Sequence, residues 1–303
     1  MCAEADHRKT RVVVFAYHTV GVRCLEVLHQ AGLDIALIVT HRDNPQENLW
    51  FDSVSAWAKT HDRPCITPDD PNEPSVVAHI AAQQPEFLFS FYYRLMLGAA
   101  LLALPARGAY NLHGSLLPRY RGRVPVNWAV IRGETETGAT LHAMTAKPDQ
   151  GAIVAQQAVP IGPNDTAHEV FLRVVAAGVH ALQQVLPALL AGQAVHTPQN
   201  LALGEYCGGR KPEDGRIDWS CPATAIHNLV RGVAPPYPGA FTLVQGQPLR
   251  ILASSLSAIP HAVTHFRCGD GHTLWVTQLE WQGENLDRTR FEQAFPQGCQ
   301  PDP

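Results

Sequence analysis

Apolar and polar positions alternate in blocks from Arg11 onward, with short β-branched or aromatic runs followed by stretches of helical spacing. Arg11-Val-Val-Val-Phe-Ala16 is the first such run, and Val22, Leu25, Val27, Leu28 and Ala31 then recur at helical intervals up to Gly32. Ile35–Thr40, Pro64–Thr67 and the aromatic-rich Phe87–Tyr93 read as further strands. Val54–Thr60, Pro74–Gln83 and Leu97–Leu104 read as the helices between them. Uninterrupted apolar runs suit strands covered on both faces. Strand–helix alternation predicts a Rossmann-like α/β fold, a mostly parallel sheet with helices on both sides. Ligands of such sheets bind beyond the carboxyl ends of the strands. The loops after Phe15, Thr40, Phe91 and His113 are therefore expected to line one crevice.

The pattern then changes. Val126–Arg132 reads as a short helix, and Thr137–Met144 and Ala152–Val159 as strands around the turn Thr145–Gly151. Asn164-Asp-Thr-Ala is a capping sequence for a long helix from Ala167 to about Leu190, with Pro187 expected to kink or shorten its end. The polar stretch Ala194–Leu203 is read as a domain boundary. Beyond it come a helix over Ala223–Val233 and short strand candidates at Thr242–Val244, Leu249–Ala253 and His272–Glu280, separated by glycine-rich turns. This predicts a small β-rich, OB-like or barrel-like domain. The organisation is thus a flexible tail over 1–10, a larger α/β domain over 11–200 and a small domain over 201–303, with the last dozen residues expected to be disordered.

Composition narrows the partners. The 303 residues carry a formal net charge of −4, so no broad basic field argues for a nucleic-acid partner. Seven scattered cysteines form no CxxC, which favours free thiols over zinc clusters or a disulfide framework. The polar start has no signal-peptide core, and no stretch reads as ~18 consecutive apolar residues, so a cytoplasmic protein off the membrane is expected.

The candidate chemistry lies in Gly108–Arg123. Asn111, His113 and Ser115 are spaced by two, so an extended chain places them on one face, and Pro118 is expected to end the strand. A histidine near neutrality accepts a proton, and an Asn amide donates to an oxygen that becomes negative. Asp149, in a Pro-Asp-x-Gly turn, is the candidate to orient the histidine. Together they suit acyl transfer without a covalent nucleophile, since Ser115 lies in no GxSxG elbow. The spacing alone is more often that of a structural strand end than of a catalytic one. Arg119, Arg121 and Arg123 suit either a solvated loop or an anion-facing lip. No metal site is indicated: His18 and His41 lack a third ligand at suitable spacing.

Asn111-Leu-His113, Ser115-Leu-Leu-Pro-Arg-Tyr-Arg-Gly122 and Asp149-Gln-Gly151 together resemble the signature of the 10-formyltetrahydrofolate-dependent formyltransferases. Val14–His18, Phe89–Arg94, Gly133–Gly138, His227–Arg231 and Tyr237–Phe241, with the His41-x-Asp-Asn-Pro segment, look like the formyltransferase half of the bifunctional polymyxin-resistance enzyme. The resemblance implies that residues 11–200 are the formyltransferase catalytic domain. It implies a co-substrate, 10-formyltetrahydrofolate, without a metal, and an acceptor that is a nucleotide-linked amino sugar such as UDP-4-amino-4-deoxy-L-arabinose. By the same resemblance Asn111 stabilises the transition-state oxygen, His113 shuttles the proton and Asp149 raises the histidine pKa. The folate is expected against Leu95, Met96, Leu97, Arg123 and the loop Thr145, Ala146, Lys147, Pro148 and Asp149, largely through backbone. Methionyl-tRNA formyltransferase and formyltetrahydrofolate hydrolase are the alternatives, the first disfavoured by the absence of excess positive charge over 201–303.

Overall fold

The computed structural model describes residues 9–43 and 50–302. The expected flexible tail and the His41-x-Asp-Asn-Pro segment therefore lie partly outside the described residues. The chain divides into two compact units. The first comprises Met1–Gly122, Gly138–Ala158 and Val174–Tyr206, and the second Arg123–Thr137, Val159–Arg173 and Cys207–Pro303.

The first unit is built on β1 (Arg11–Ala16), α1 (His18–Gln30), β2 (Asp34–Val39), α2 (Val54–Thr60), β3 (Cys65–Ile66), α3 (Pro74–Ala81), β4 (Phe87–Phe91), α4 (Ala99–Leu102) and β5 (Ala109–His113). After the two-residue β6 (Arg121–Gly122) and helix α5 (Pro125–Ile131) come β7 (Glu136–Ala143), β8 (Ile153–Pro160) and the long α6 (Ala167–Leu190). Seven strands form one sheet in the order β3-β2-β1-β4-β5-β7-β8. β1 pairs in parallel with β2 and β4, and β4 with β5. β7 runs antiparallel to β5, so the sheet is mostly parallel, as expected. Strand order reverses between β1 and β4, the position at which such sheets open for ligands.

The first strands are central because they are apolar throughout. All of β4 is buried, as is every residue of β1 after Arg11. Val13, Phe15, Leu37, Val39, Ile80, Leu88, Leu97 and Leu101 form one core cluster. Helix α6 comes close to β5 at Gly178, where an added Cβ would sit 2.8 Å from Leu112 Cδ2. The helix runs through Pro187 to Leu190. Contrary to the expectation from composition, it is long and apolar enough to cross a membrane, yet half of the window that qualifies is buried inside the protein. Its apolar length is that of a helix packed on a sheet.

At the carboxyl ends of β1, β2 and β4 the loops converge. Tyr17 N–H donates to Phe91 O (3.0 Å), and Arg94 N–H donates to His41 Nε2 (3.0 Å). The His41 ring stacks on Tyr93 at 4.2 Å. Burial, helped by the charge of Arg94, holds the His41 pKa down at about 4, so Nε2 remains a neutral acceptor. In the unfolded chain the ring takes its proton near 6.5, so between 6.5 and about 4 the unfolded state binds more protons and stability falls as pH falls. Buried His113 and His227 act in the same direction. Urea midpoints at pH 7 and pH 5 should therefore lie closer together in His41→Phe than in the wild type; an equal gap in both proteins overturns this assignment.

The second unit is β-rich. Besides α5 it holds α7 (Ala223–Gly232), β10 (Ala240–Val244), β11 (Gln247–Ser255), β12 (Thr264–Arg267), β13 (Thr273–Trp281), β14 (Glu284–Leu286) and α8 (Arg288–Ala294), while the two-residue β9 (Tyr206–Cys207) lies where the chain enters it. Its antiparallel sheet has the order β10-β11-β13-β12, with β14 on β13. Asn127 of α5 donates to Gly232 O of α7 (2.8 Å). The disorder expected over the last dozen residues is overturned for the described ones, up to Asp302. Asp287 caps α8 by accepting from Arg290 N–H (2.8 Å), and Phe291 and Phe295, four apart, both bury in the core of this unit. Asp302 N–H then donates to Leu243 O (2.7 Å).

Candidate active site

The site lies on the paired stretches Asn111–His113 of β5 and Thr140–His142 of β7. Their antiparallel register sets Asn111 opposite His142 and His113 opposite Thr140. Directly opposed residues present their side chains on the same face. The loop Thr145–Gly151 after β7 turns back and carries Asp149 to this face. Asp149, distant in sequence from Asn111 and His113, is thereby brought to them.

Their contacts form a connected set. His113 Nε2 lies 2.8 Å from Tyr120 O, and His113 Nδ1 lies 3.5 Å from Asp149 Oδ1. A carbonyl oxygen only accepts, so Nε2 carries the proton and donates. Asp149 Oδ2 accepts from Gly122 N–H at 2.8 Å. His142 Nε2 also stands 3.5 Å from Asp149 Oδ1. His142 Nδ1 faces its own neighbour's carbonyl, Ala143 O, at 2.9 Å, which fixes its proton on Nδ1. His142 Nε2 is then the acceptor for Asn111 Nδ2 at 3.2 Å. That bond sets which way the Asn111 amide points and leaves its second N–H for another acceptor.

Burial pushes the Asp149 carboxyl upward, but His113, His142 and the Gly122 N–H outweigh it and hold the group down at about 2. Burial pushes the His113 imidazole below its ordinary value; Asp149 and the Tyr120 carbonyl pull the other way and are outweighed. Asp149 thus acts on His113 in the expected direction without setting the net shift. A neutral ring beside an ionised carboxylate is a base that gains a stabilised cation when it takes a proton. Its free acceptor atom is Nδ1, next to Asp149.

Two non-glycine residues hold this arrangement from the left-handed region, Tyr120 (φ 56°) and Asp149 (φ 55°). Each such residue costs roughly 1–2 kcal/mol, and strain of this kind gathers at functional sites. The loop after β5 is held by buried polar groups. Ser115 is fully buried and donates to Arg119 O (2.6 Å). Thr140 Oγ1 donates to Ser115 O (2.6 Å) and accepts from Leu117 N–H (3.1 Å). Gln156 Nε2 donates to Leu117 O (2.8 Å) and Thr140 Oγ1 (2.9 Å).

Several expectations need correction. β5 ends at His113, not at Pro118, because the chain turns to satisfy Ser115 and Thr140; Ser115 is a satisfied turn hydroxyl that supports the loop. The three arginines differ in their surroundings. Arg121 is only 8% exposed and donates through Nη2 to Gly204 O (3.0 Å), tying its loop to the Gly204–Glu205 segment. Arg119 is exposed. Arg123 belongs to the second unit, where it is exposed and its N–H donates to Cys207 O (2.9 Å). Of the other expected folate residues, Leu95 and Met96 are 40% and 55% exposed, whereas the Leu97 side chain is in the core. Thr145, Ala146 and Lys147 are exposed, Pro148 is half-buried, and Thr145 Oγ1 donates to Lys147 O (2.8 Å). His142 was missed from sequence. Its only signal is Thr140-x-His142, the same spacing of two as Asn111-x-His113.

Residues 9–186 match the formyl transferase profile, and residues 210–289 match the formyl transferase C-terminal domain. The chain belongs to the formyl transferase family. This formyltransferase has similar solved structures. The N-formyltransferase from Helicobacter canadensis, in complex with folinic acid and dTDP-3-aminofucose, superimposes with a TM-score of 0.68 at 17% identity, over 88% of this chain and 98% of that one. A sugar N-formyltransferase from a Shewanella species gives 0.66 at 20% identity, over 82% and 99%. HypX from Aquifex aeolicus, in complex with tetrahydrofolic acid, gives 0.64 at 17% identity over 97% of this chain, which spans 48% of HypX. At these identities the likeness is one of fold.

Proposed function

We propose that the protein transfers the formyl group of 10-formyltetrahydrofolate to the primary amine of a nucleotide-linked amino sugar. The observation that carries this reading is the set Asn111–His113–Asp149 assembled at the end of β5 in a formyl transferase. In the reaction an uncharged amine attacks the formyl carbon, and negative charge gathers on the formyl oxygen. The remaining Asn111 N–H is the donor for that charge. His113 Nδ1 takes the proton the attacking amine releases, and Asp149 stabilises the imidazolium formed. The carbon–nitrogen bond to the folate then breaks, and the same proton passes on to the leaving nitrogen. The apolar surface of Leu95 and Met96 and the exposed loop Thr145–Lys147 are suited to the flat ring and polar edge of a folate. The sugar class is supported by the solved N-formyltransferases that share the fold, one of them holding a dTDP-amino sugar.

UDP-4-amino-4-deoxy-L-arabinose is the acceptor we assign, on the sequence motifs; its formylation belongs to lipid A modification and polymyxin resistance. The test offers this compound, dTDP-linked 3- and 4-amino sugars and methionyl-tRNA with 10-formyltetrahydrofolate, and reads N-formyl product by mass spectrometry. Product on the UDP sugar above all others supports the assignment. Product on a dTDP sugar alone overturns the acceptor and keeps the class. Formyl-methionyl-tRNA, or formate release without acceptor, overturns the class.

A further inference from the structure

We infer that Gln199, from the stretch between the predicted domains, is a positioning residue that holds the Asp149 turn in its working geometry. The inference rests on the reading of Asp149 given above. Gln199 Nε2 donates to two carbonyls of the turn, Asp149 O at 3.0 Å and Gly151 O at 2.6 Å. A carboxamide has two N–H donors on one nitrogen, so a single side chain spans both acceptors. The amide orientation is set by that demand, because its oxygen would face the same two carbonyls. Gln199 Oε1 is buried and has no hydrogen-bond partner. The donors are thus what the site uses.

The backbone brings Gln199 there. Ile153 N–H donates to Thr197 O and Thr197 N–H to Ile153 O, both at 2.8 Å, a closed antiparallel bridge. Continuing that register by two residues in each direction sets Gln199 opposite Gly151. The stretch is therefore a strap across the catalytic turn and not only a connection. Asp149 needs one, because its left-handed φ of 55° is unfavourable for a non-glycine residue. Asp149 O is bound on the same residue whose carboxylate oxygens face Gly122 N–H, His113 and His142. Rotation of the turn would carry the carboxylate away from His113.

The test uses the full chain with ¹⁵N-labelled histidines and follows the His113 ring by NMR through a pH titration. Four proteins are compared: wild type, Gln199→Met, Asp149→Asn and the double variant. Asp149→Asn should move the His113 pKa down by roughly one unit, since a negative charge at this distance favours the cation. Gln199→Met, near-isosteric but without donors, should move it in the same direction and add nothing in the Asp149→Asn background. Gln199→Asn keeps the donors on a shorter arm and serves if the Met variant fails to fold; it too should lower the value. An unchanged His113 titration in a folded Gln199 variant, or a shift that persists fully in the double variant, overturns the positioning role. An unchanged titration in Asp149→Asn overturns the coupling on which it rests. The readout needs no acceptor, so failure of the proposed sugar chemistry is seen separately.

Discussion

His113→Ala is expected to lower turnover by about 10²–10⁴-fold, and Asn111→Ala by about 10²–10³-fold, with both proteins still folded. The two losses have different origins. His113 is the only ring in the set whose free nitrogen faces a carboxylate without being engaged by an amide donor; His142 Nε2 already accepts from Asn111. Its removal takes away the proton acceptor. It also takes one donor from the buried Tyr120 carbonyl, which keeps the longer contact from Ser115 Oγ at 3.4 Å; losing one such hydrogen bond costs about 1 kcal/mol in stability, so activity must be measured below the lowered melting temperature. Asn111→Ala removes the donor to the formyl oxygen and leaves His113 in place. The pH profile separates the roles further. Because burial holds the His113 pKa below 6.5, the acid limb of kcat/KM should lie below that pH. The Asp149 charge opposes burial, so Asp149→Asn should push the limb lower still while reducing kcat. Near-wild-type turnover in folded His113→Ala, or an acid limb that moves up in Asp149→Asn, would sink the proposed proton path.

How much of this was legible in the sequence follows from how local each cause is. β1, β2 and β4 are read almost to the residue, because an uninterrupted apolar run has few uses other than a strand covered on both sides. The mostly parallel sheet follows from their alternation with helices. Asn111 and His113 are legible because two residues apart on a strand is a local fact. Asp149 needed the turn composition and the family resemblance. What escaped is set by pairing at a distance. His142 matters because β7 is antiparallel to β5 in a register that opposes it to Asn111, and nothing near His142 in the chain says so. Arg121 reads as an exposed cation until Gly204 O is seen to bury it. Gln199 sits in a stretch whose polarity suggests a linker, and its two bonds reach back to residues 149 and 151. Phe291 and Phe295 form too short a stripe to stand out, yet the cap at Asp287 starts α8, which buries Phe291 on the helix and Phe295 just past its end.

The second large effect is expected from Gly151→Ala, which should destabilise the protein by about 3 kcal/mol and lower turnover at least tenfold in the fraction that folds. Gly151 does not have a positive φ, so the reason is space and not access to the left-handed region. A Cβ built there would overlap the carbonyl oxygen of Ala143, a backbone atom of β7 that cannot swing aside as a side-chain end can. The turn from Thr145 to Gly151 must therefore move outward. That movement strains Ala143 N–H to Ala152 O (2.9 Å), which closes the turn, and Gln199 Nε2 to Gly151 O (2.6 Å), which straps it. The Asp149 carboxylate moves with the turn, and a misplacement of about 1 Å in a catalytic group can cost on the order of 10²-fold. Gly208→Ala is the control: nothing lies within 4 Å of its added Cβ, and its change should stay within about 0.5 kcal/mol. Urea midpoints and turnover of the two variants, measured side by side, decide the matter. A Gly151→Ala protein with the midpoint and turnover of Gly208→Ala would show that the close approach to Ala143 is not what shapes the Asp149 turn.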